Sequence, residues 1–241
     1  RKIGVCVALV FSVMAFYQPA LNTFLGLSLL VFLTDCQQKN SAQAWRSLAL
    51  KFASFVVAGF FYKAVIVHYF VHGDFESSHA AVIGLHDIST AQFKSNAVGV
   101  LGLLSALLSG GIKPVLIGIY GVATLITIIS GIKYIYKKSI LEFVTGLFIC
   151  AVPFLILFLM SGIMFLLKNP YQVPRTFMSF STCVIFANLF FLQPYAQKIR
   201  WVGLLPIAYF FVIAFSYGNI LTENARFQTY HIERVAGILE N

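Results

Sequence analysis

Charged side chains are scarce in this chain of 241 residues, where they make up 10% of the sequence. Ordinary soluble domains contain about 25% charged and about 45–50% apolar residues. Here the apolar share is 59%, and the mean hydropathy is +0.87. A soluble fold of this length could not cover so much apolar surface with polar side chains. The composition therefore excludes an ordinary soluble domain and favours a protein embedded in lipid.

The apolar segments also lack the alternation that a membrane β-barrel would need. Inside lipid every backbone N–H and C=O needs a partner, so only helices or closed barrels cross. Barrel strands alternate apolar and polar residues over about ten positions, whereas residues 115–132 and 143–167 form continuous runs without charge. The sequence therefore predicts an all-α fold, a polytopic bundle of transmembrane helices that forms a single domain over residues 1–241.

Metal-binding and disulfide patterns are absent as well. The four cysteines are scattered, and no CxxC or Cys/His ligand spacing occurs.

The net charge is +9, and Lys and Arg lie at the ends of apolar runs, where they set orientation or meet anionic headgroups. This placement favours membrane lipids as partners and excludes nucleic acid.

Seven spans and one interfacial helix are predicted. Residues 97–112 are apolar but short and rich in glycine, which favours an interfacial or re-entrant helix. Pro19 interrupts the first apolar stretch. We expect two short spans joined by a tight turn at Tyr17–Pro19, with one kinked, tilted helix as the alternative. The spans are predicted at about 3–17, 20–34, 50–70, 114–132, 139–167, 177–193 and 201–221.

The basic residues predict the orientation of these spans. If 97–112 does not cross, one side receives Arg1, Lys2, Lys39, Arg46, Lys51, Lys133, Lys137, Lys138, Lys198 and Arg200. The positive-inside rule makes that side cytoplasmic and puts the C-terminus on the external side. Because Glu142 lies close to Lys137 and Lys138, we expect an interfacial ion-pair partner there rather than a buried catalytic acid.

The polar segment 72–96 concentrates histidines and carboxylates. His68 and His72 would share one face of a helix, but no HExxH or similar pattern appears, so a hydrated loop without a metal is favoured. Asp74 and Glu76 could supply a general base, although a loop carboxylate is more often only solvated.

Other polar residues on the external side suit a ligand. Arg175 offers a planar fork that fits phosphate oxygens, with a snorkelling membrane anchor as the alternative. Tyr17 and Gln18 lie at a helix break, which either lines a cavity or only turns the chain.

The last span becomes polar near its external end. Asn219, Glu223 and Asn224 recur there at short intervals and could line a face turned toward a polar cavity, or could mark a helix that leaves the bilayer. Fixed amide groups suit the neutral hydroxyls of a sugar.

Three segments resemble one family. The helix break in "SVMAFYQPALNTFLGLSLLVFL", the arginine of "VPRTFMSFS" and the final stretch "FSYGNILTENARFQTYHIERVAGILEN" are similar to GtrII-type glucosyl transferases. These are multi-pass enzymes linked to O-antigen modification in bacteria and their phages. The resemblance implies a GT-C-like fold in the bacterial cytoplasmic membrane. It also implies transfer of a sugar, with glucose expected, from a polyprenyl-phosphate donor to a cell-surface glycan on the external face.

The resemblance further implies an inverting mechanism that is metal-independent or weakly metal-linked, with a carboxylate as base and no cofactor. In the family this carboxylate usually follows the first membrane helix, but the turn at Tyr17–Pro19 has no acid. Since the chain also begins at Arg1 without methionine or a signal-peptide pattern, we expect it to be the C-terminal part of a longer protein.

One external cavity is the resulting hypothesis. Arg175 would bind the donor phosphate, and the amides would bind sugar hydroxyls. The residues that would border the cavity are Tyr17, Gln18, Asp74, Glu76, Arg175, Asn219, Glu223 and Asn224. An O-antigen polymerase and a lipid-linked oligosaccharide transporter are the alternatives. The sequence leaves open the sugar, the acceptor, the linkage, the catalytic base and the oligomeric state.

Overall fold

The computed structural model of the protein describes residues 2–16, 20–38, 40–70, 91–107, 112–137, 139–162, 179–189, 201 and 204–239. Within these ranges nearly every residue is helical and no strand occurs, which confirms the all-α prediction. The helices are α1 Lys2–Phe16, α2 Ala20–Gln38, α3 Ser41–Phe61, α4 His68–Phe70, α5 Ala91–Leu107, α6 Ile112–Ile135, α7 Ile140–Ser161, α8 Phe180–Leu189 and α9 Leu204–Leu239. A π-helical segment, Tyr62–Val67, joins α3 to α4. The chain forms two compact units, Arg1–Phe190 and Phe191–Asn241, and each is described by itself.

Four helical stretches are long and apolar enough to cross a membrane. Two shorter apolar stretches, Gly4–Met14 and Phe180–Leu189, accompany them. The four stretches are Ala20–Gln38, Ser41–Phe70, Lys113–Ile135 and Ile140–Ser161. The structure thus agrees with a bundle of the membrane type, while seven spans and a GT-C-like arrangement stay predictions.

Helices α2 and α3 are longer than the sequence predicted. Helix α2 continues to Gln38 and α3 begins at Ser41, so most of the polar stretch 35–48 is helical. The side chain of Asn40 caps α3 by accepting a hydrogen bond from the Gln43 N–H at 2.8 Å. Asp35 and Ser41 of this stretch are buried, whereas its other described polar residues are mostly exposed.

Helix α1 runs antiparallel to α3. Met14, near the end of α1, lies against Gly59. Gly4, near its start, shares a groove with Phe61 and Val65, which come later along the α3 direction. Helix α2 is also antiparallel to α3, because the two pack together across a short connection and Leu21 packs with Ala58. Thus α1 and α2 run in the same direction.

This shared direction bears on the expected tight turn, which itself stays a prediction. Two spans joined by such a turn would run in opposite directions, so the structure agrees with the kinked-helix alternative. Residues Tyr17–Pro19 themselves lie outside the described ranges. The physical reason is that α1 buries Val10 and Met14 against Ala58 of α3 instead of folding back along α2. Lys2 therefore lies toward the far end of α3 from Arg46, and the membrane side of each basic residue stays a prediction.

An aromatic group from three helices lies in the core of the first unit. Phe32 of α2, Trp45 of α3 and Phe148 of α7 have ring centroids 4.9–5.1 Å apart. Aromatic pairs in such arrangements contribute about 0.5–1.5 kcal/mol each beyond area burial. Helix α5 reaches the same core through Val100. It begins earlier than the predicted 97–112 segment, and whether that segment crosses the membrane stays a prediction.

Helices α6 and α7 approach each other at two glycines. A Cβ atom on Gly131 would lie 2.6 Å from the Cys150 Sγ and 2.7 Å from the Gly146 carbonyl oxygen. No side chain fits at that separation, so the two backbones touch. Small residues at helix contacts are typical of membrane bundles, because close approach increases van der Waals packing.

The antiparallel order gives the first unit two groups of polar residues at opposite ends of α7. We call the group near the start of α7 the Glu142 end; it consists of Cys36, Ser41, Trp45, Tyr134, Lys137, Glu142 and Thr145. We call the group near the end of α7 the Asn22 end; it consists of Asn22, Gly26, Ser161, Gly162, Ser179 and Thr182.

Candidate functional site

The Asn22 end brings together the start of α2, the end of α7 and the residues that open α8. Helix α7 ends at Ser161 because Gly162 adopts a backbone φ of 44° and ψ of −116°, which side chains rarely tolerate. The side chain of Asn22 occupies the space where a Cβ atom of residue 162 would lie. Glycine is thus required at position 162 for two reasons: it allows the positive φ of the turn, and it leaves the space that the Asn22 amide occupies.

Ser179 connects the opening of α8 to the final turn of α7. Its hydroxyl lies 2.7 Å from the carbonyl oxygens of both Leu159 and Met160 and donates to that pair. Carbonyls in the last turn of a helix have no partner within the helix, so a buried helix end needs such a donor. Thr182 in turn donates to the Ser179 carbonyl at 2.6 Å. These bonds fix the two helix ends against each other.

Close packing of α2 on α8 holds the third element in place. A Cβ atom on Gly26 would lie 2.8 Å from the Thr182 hydroxyl oxygen and 2.9 Å from its methyl group. Because no side chain separates the two helices there, the first turns of α2 lie directly beside the opening of α8. This contact sets the position of Asn22 relative to Ser161 and Ser179.

Two polar side chains of the Asn22 end have an atom without a hydrogen-bond partner. Asn22 is 4% exposed and Ser161 is 1% exposed. The Asn22 Nδ2 and the Ser161 Oγ find no partner among the residues that the structure describes. Most buried polar groups in proteins are paired, so each exception calls for a physical explanation.

The Glu142 end differs because its polar atoms are paired. Ser41 donates to the Glu142 carboxylate at 2.8 Å, and the Lys137 ammonium lies 3.4 Å from the same oxygen. The Trp45 indole N–H donates to the Thr145 hydroxyl at 3.0 Å. The ion pair expected for Glu142 is thus confirmed, while its place at the membrane interface stays a prediction. These contacts tie α3, α6 and α7 together and leave Glu142 engaged in structure.

The Asn22 end suits neutral ligands better than metals. Its polar side chains, those of Asn22, Ser161, Ser179 and Thr182, carry amide or hydroxyl groups and no charge. Among the described residues, no three His, Cys, Asp or Glu side chains come close enough to hold a metal ion. Amides and hydroxyls both donate and accept hydrogen bonds, as sugar hydroxyls do.

Five of the predicted site residues, Tyr17, Gln18, Asp74, Glu76 and Arg175, lie outside the described ranges. Two described segments that directly follow such residues, one after Tyr17 and Gln18 and the other after Arg175, nevertheless pack together. Helix α2 begins just after Tyr17–Pro19, and Ser179 follows the stretch that contains Arg175. Both belong to the part of the bundle where the Asn22 end is formed.

The other three predicted residues lie on α9 in the second unit. Asn219, Glu223 and Asn224 are exposed on this helix. The Glu223 carboxylate accepts a hydrogen bond from Arg226 at 2.9 Å, one helical turn away. The spacing of Asn219 and Glu223 puts them on one face. That they share a cavity with Arg175 stays a prediction.

Asn22 and Ser161 escaped the sequence analysis because each is an uncharged polar residue within or beside a long apolar run. A usable signal exists in retrospect. Asn22 falls in the first turn after the Tyr-Gln-Pro break, and Ser161 directly precedes a glycine at the end of an apolar helix. Polar residues beside helix breaks in membrane segments tend to line cavities or contact protein.

Comparison of the chain with protein-family models, with characterised proteins and with solved structures finds no match.

Proposed function

We propose that the chain is a membrane glycosyltransferase that moves a sugar, with glucose expected, from a polyprenyl-phosphate donor to a cell-surface glycan such as O-antigen. The reaction would take place at the Asn22 end on the external face of a bacterial cytoplasmic membrane. The observation that carries the proposal is the buried group of one neutral amide and three hydroxyls at that end, those of Asn22, Ser161, Ser179 and Thr182. Sugar recognition needs such donors and acceptors in fixed positions.

Basic residues at the Glu142 end support the orientation, and Lys2 and Lys113, near the starts of α1 and α6, are the exceptions toward the other end. Arg46 and Lys137 lie at or near the Glu142 end, and Lys133 lies in the last turn of α6. Loops on the cytoplasmic side carry an excess of Lys and Arg, so the Glu142 end would face the cytoplasm. The Asn22 end would then face outward, where lipid-linked sugars are used in the family that the sequence resembles.

The role proposed for each residue follows from the chemistry of its side chain. Arg175 would bind the donor phosphate through its guanidinium fork. Gln18 would contribute further neutral contacts to the sugar, and Tyr17 would border the site. Asp74 and Glu76 are the candidate bases within this chain for deprotonating the acceptor hydroxyl, since a carboxylate can take that proton. The new glycosidic bond would form as the bond to the donor phosphate breaks.

A transfer assay tests the proposal. Membranes containing the full-length protein receive radiolabelled glucose on polyprenyl phosphate together with lipopolysaccharide of the host. We expect label in the lipopolysaccharide with the wild type and its loss with Arg175→Ala. Arg46→Ala, which removes an arginine near the opposite end of the bundle, is the matched control and should retain transfer.

Three other results would contradict the proposal. Lengthened O-antigen chains without transfer of single sugars would indicate a polymerase. Movement of a lipid-linked oligosaccharide across the membrane without any new glycosidic bond would indicate a transporter. Absence of transfer by folded wild type with several sugar donors would also reject the glycosyltransferase.

A further inference from the structure

The Asn22 end contains two hydrogen-bonding groups that the fold itself does not use. The Asn22 Nδ2 and the Ser161 Oγ are buried and lack partners within the described part of the chain. Both belong to the same small region, since Asn22 lies over Gly162 and Ser161 is the preceding residue. The described residues contain two further buried hydroxyls without a partner, those of Thr23, which follows Asn22, and Thr124 in the middle of α6.

Ser161 departs from the pattern of other buried helical serines in this unit. Ser28 donates to the Phe24 carbonyl at 2.8 Å, and Ser54 donates to the Leu50 carbonyl at 2.9 Å. Each uses the carbonyl one turn earlier, which is the usual solution for a serine within an apolar helix. Ser161 has a full helical turn before it but does not make this bond, so its hydroxyl stays available.

The Asn22 amide is held in place without using its N–H donors. Gly162, with φ of 44°, leaves just enough room for the amide beside the backbone, and any side chain at 162 would overlap it. The close contact of Gly26 with Thr182 fixes α2 beside α8. An amide held in this way is arranged for a ligand before binding, which reduces the entropy lost on association.

We propose that Asn22 and Ser161 bind hydroxyl groups of the transferred sugar and determine which sugar is accepted. The amide N–H groups donate, and the serine hydroxyl donates or accepts, which matches the dual character of a sugar hydroxyl. This inference rests on the proposed function and names the group that the site recognises. A site built for a hydroxyl rejects an analogue that lacks it, because its own polar groups are then left unpaired.

The test uses Asn22→Leu and Ser161→Ala in the full-length protein, reconstituted in phospholipid nanodiscs. We expect the KM for the donor to rise about tenfold in each variant, with little change in kcat, since the lost contacts are present in both ground and transition states. Asn188→Leu and Ser54→Ala are matched controls, because their side chains donate to backbone carbonyls of their own helices. Their KM values should stay at the wild-type level.

Deoxy-sugar donors separate sugar contact from a structural role. Wild type should discriminate strongly against one deoxy donor in the series. Asn22→Leu or Ser161→Ala should lose that discrimination and treat the deoxy donor and the parent sugar alike. If the variants keep wild-type discrimination, or if Asn22→Leu lowers Tm while KM is unchanged, the two residues serve folding or hold a buried water, and the inference is wrong.

A binding measurement keeps this inference apart from the proposed function. Octyl glucoside, added below its micelle concentration, presents a glucose headgroup without a phosphate. We expect it to raise the Tm of wild type but not of Asn22→Leu. Transfer by wild type together with equal Tm shifts in both proteins would overturn only this inference. Absence of transfer together with a Tm shift specific to wild type would overturn only the glycosyltransferase proposal.

Discussion

The Glu142 end and the Asn22 end of the first unit both bury polar groups, but they differ in whether those groups have hydrogen-bond partners. At the Glu142 end, Ser41, Trp45 and Lys137 each find a partner on another element or across the helix junction. At the Asn22 end, Ser179 and Thr182 are paired, but Asn22 and Ser161 each keep an unused atom among the described residues. Paired groups stabilise a fold, whereas unpaired ones cost stability and are retained where function needs them.

The largest effect is expected from Gly162→Val. The added side chain would overlap the Asn22 amide and force a β-branched residue into the left-handed region. The expected loss of stability is about 2–4 kcal/mol from strain and overpacking. Thermal unfolding in nanodiscs measures it. Gly118→Ala, at a helical glycine with open space around it, is the control and should not destabilise. Equal effects in both variants would show that the Asn22 contact is unimportant.

Thr145→Val should be the next most damaging change. Valine keeps the shape but removes the acceptor of the Trp45 N–H and the donor to the Leu141 carbonyl. The indole N–H would be left without its partner, which costs about 1–3 kcal/mol. Thr127→Val, which removes only a bond to the carbonyl one turn earlier, should cost less. A Tm that falls by the same amount in both would contradict a stabilising role for the Trp45 contact.

A smaller loss is expected for Glu142→Ala. The Ser41 hydroxyl would lose its acceptor, while the Lys137 contact is partly exposed and contributes little. We expect about 1 kcal/mol of destabilisation and unchanged sugar transfer per folded molecule. Glu142→Gln retains an acceptor for Ser41 and should recover most of the stability. Loss of transfer in folded Glu142→Gln would assign function to the end that we describe as structural.

The smallest stability effect belongs to Asn22→Leu. Leucine has a similar shape, and it removes an N–H group that has no partner within the described residues. We therefore expect the free energy of unfolding to change by less than about 0.5 kcal/mol, or to increase slightly. Denaturant unfolding in mixed micelles measures this change. A clear loss of stability would indicate that the amide has a structural partner and would weaken the contrast between the two ends.

The sequence predicted the all-α class because long continuous apolar runs indicate membrane helices even where the hydrophobic residues show no helical periodicity. It also predicted the ion pairing of Glu142, since Lys137 lies only five residues before it along the chain, across the junction of α6 and α7. It did not predict the direction of α1. Pro19 marks a break, but whether the chain folds back or continues depends on which helix buries Val10 and Met14, and that is a tertiary contact.

The candidate site was predicted less well than the fold. Reasoning from residue chemistry favoured charged or conspicuous residues such as Arg175 and Glu223. Asn22 and Ser161 are uncharged residues in apolar runs, and only the packing of α2 against the end of α7 shows that Asn22 lies over Gly162, the residue after Ser161, and that both side chains have an unpaired atom. Sequence patterns report periodicity and charge well, but they do not report which buried atom lacks a partner.

One experiment tests most directly the claim that the Asn22 end, and not the Glu142 end, carries function. Transfer of radiolabelled glucose from polyprenyl phosphate to lipopolysaccharide would be measured for full-length wild type, Asn22→Leu and Glu142→Gln, at donor concentrations below the wild-type KM and with equal amounts of folded protein. We predict about tenfold slower transfer by Asn22→Leu and wild-type transfer by Glu142→Gln. Wild-type transfer by Asn22→Leu together with impaired transfer by Glu142→Gln would contradict the account.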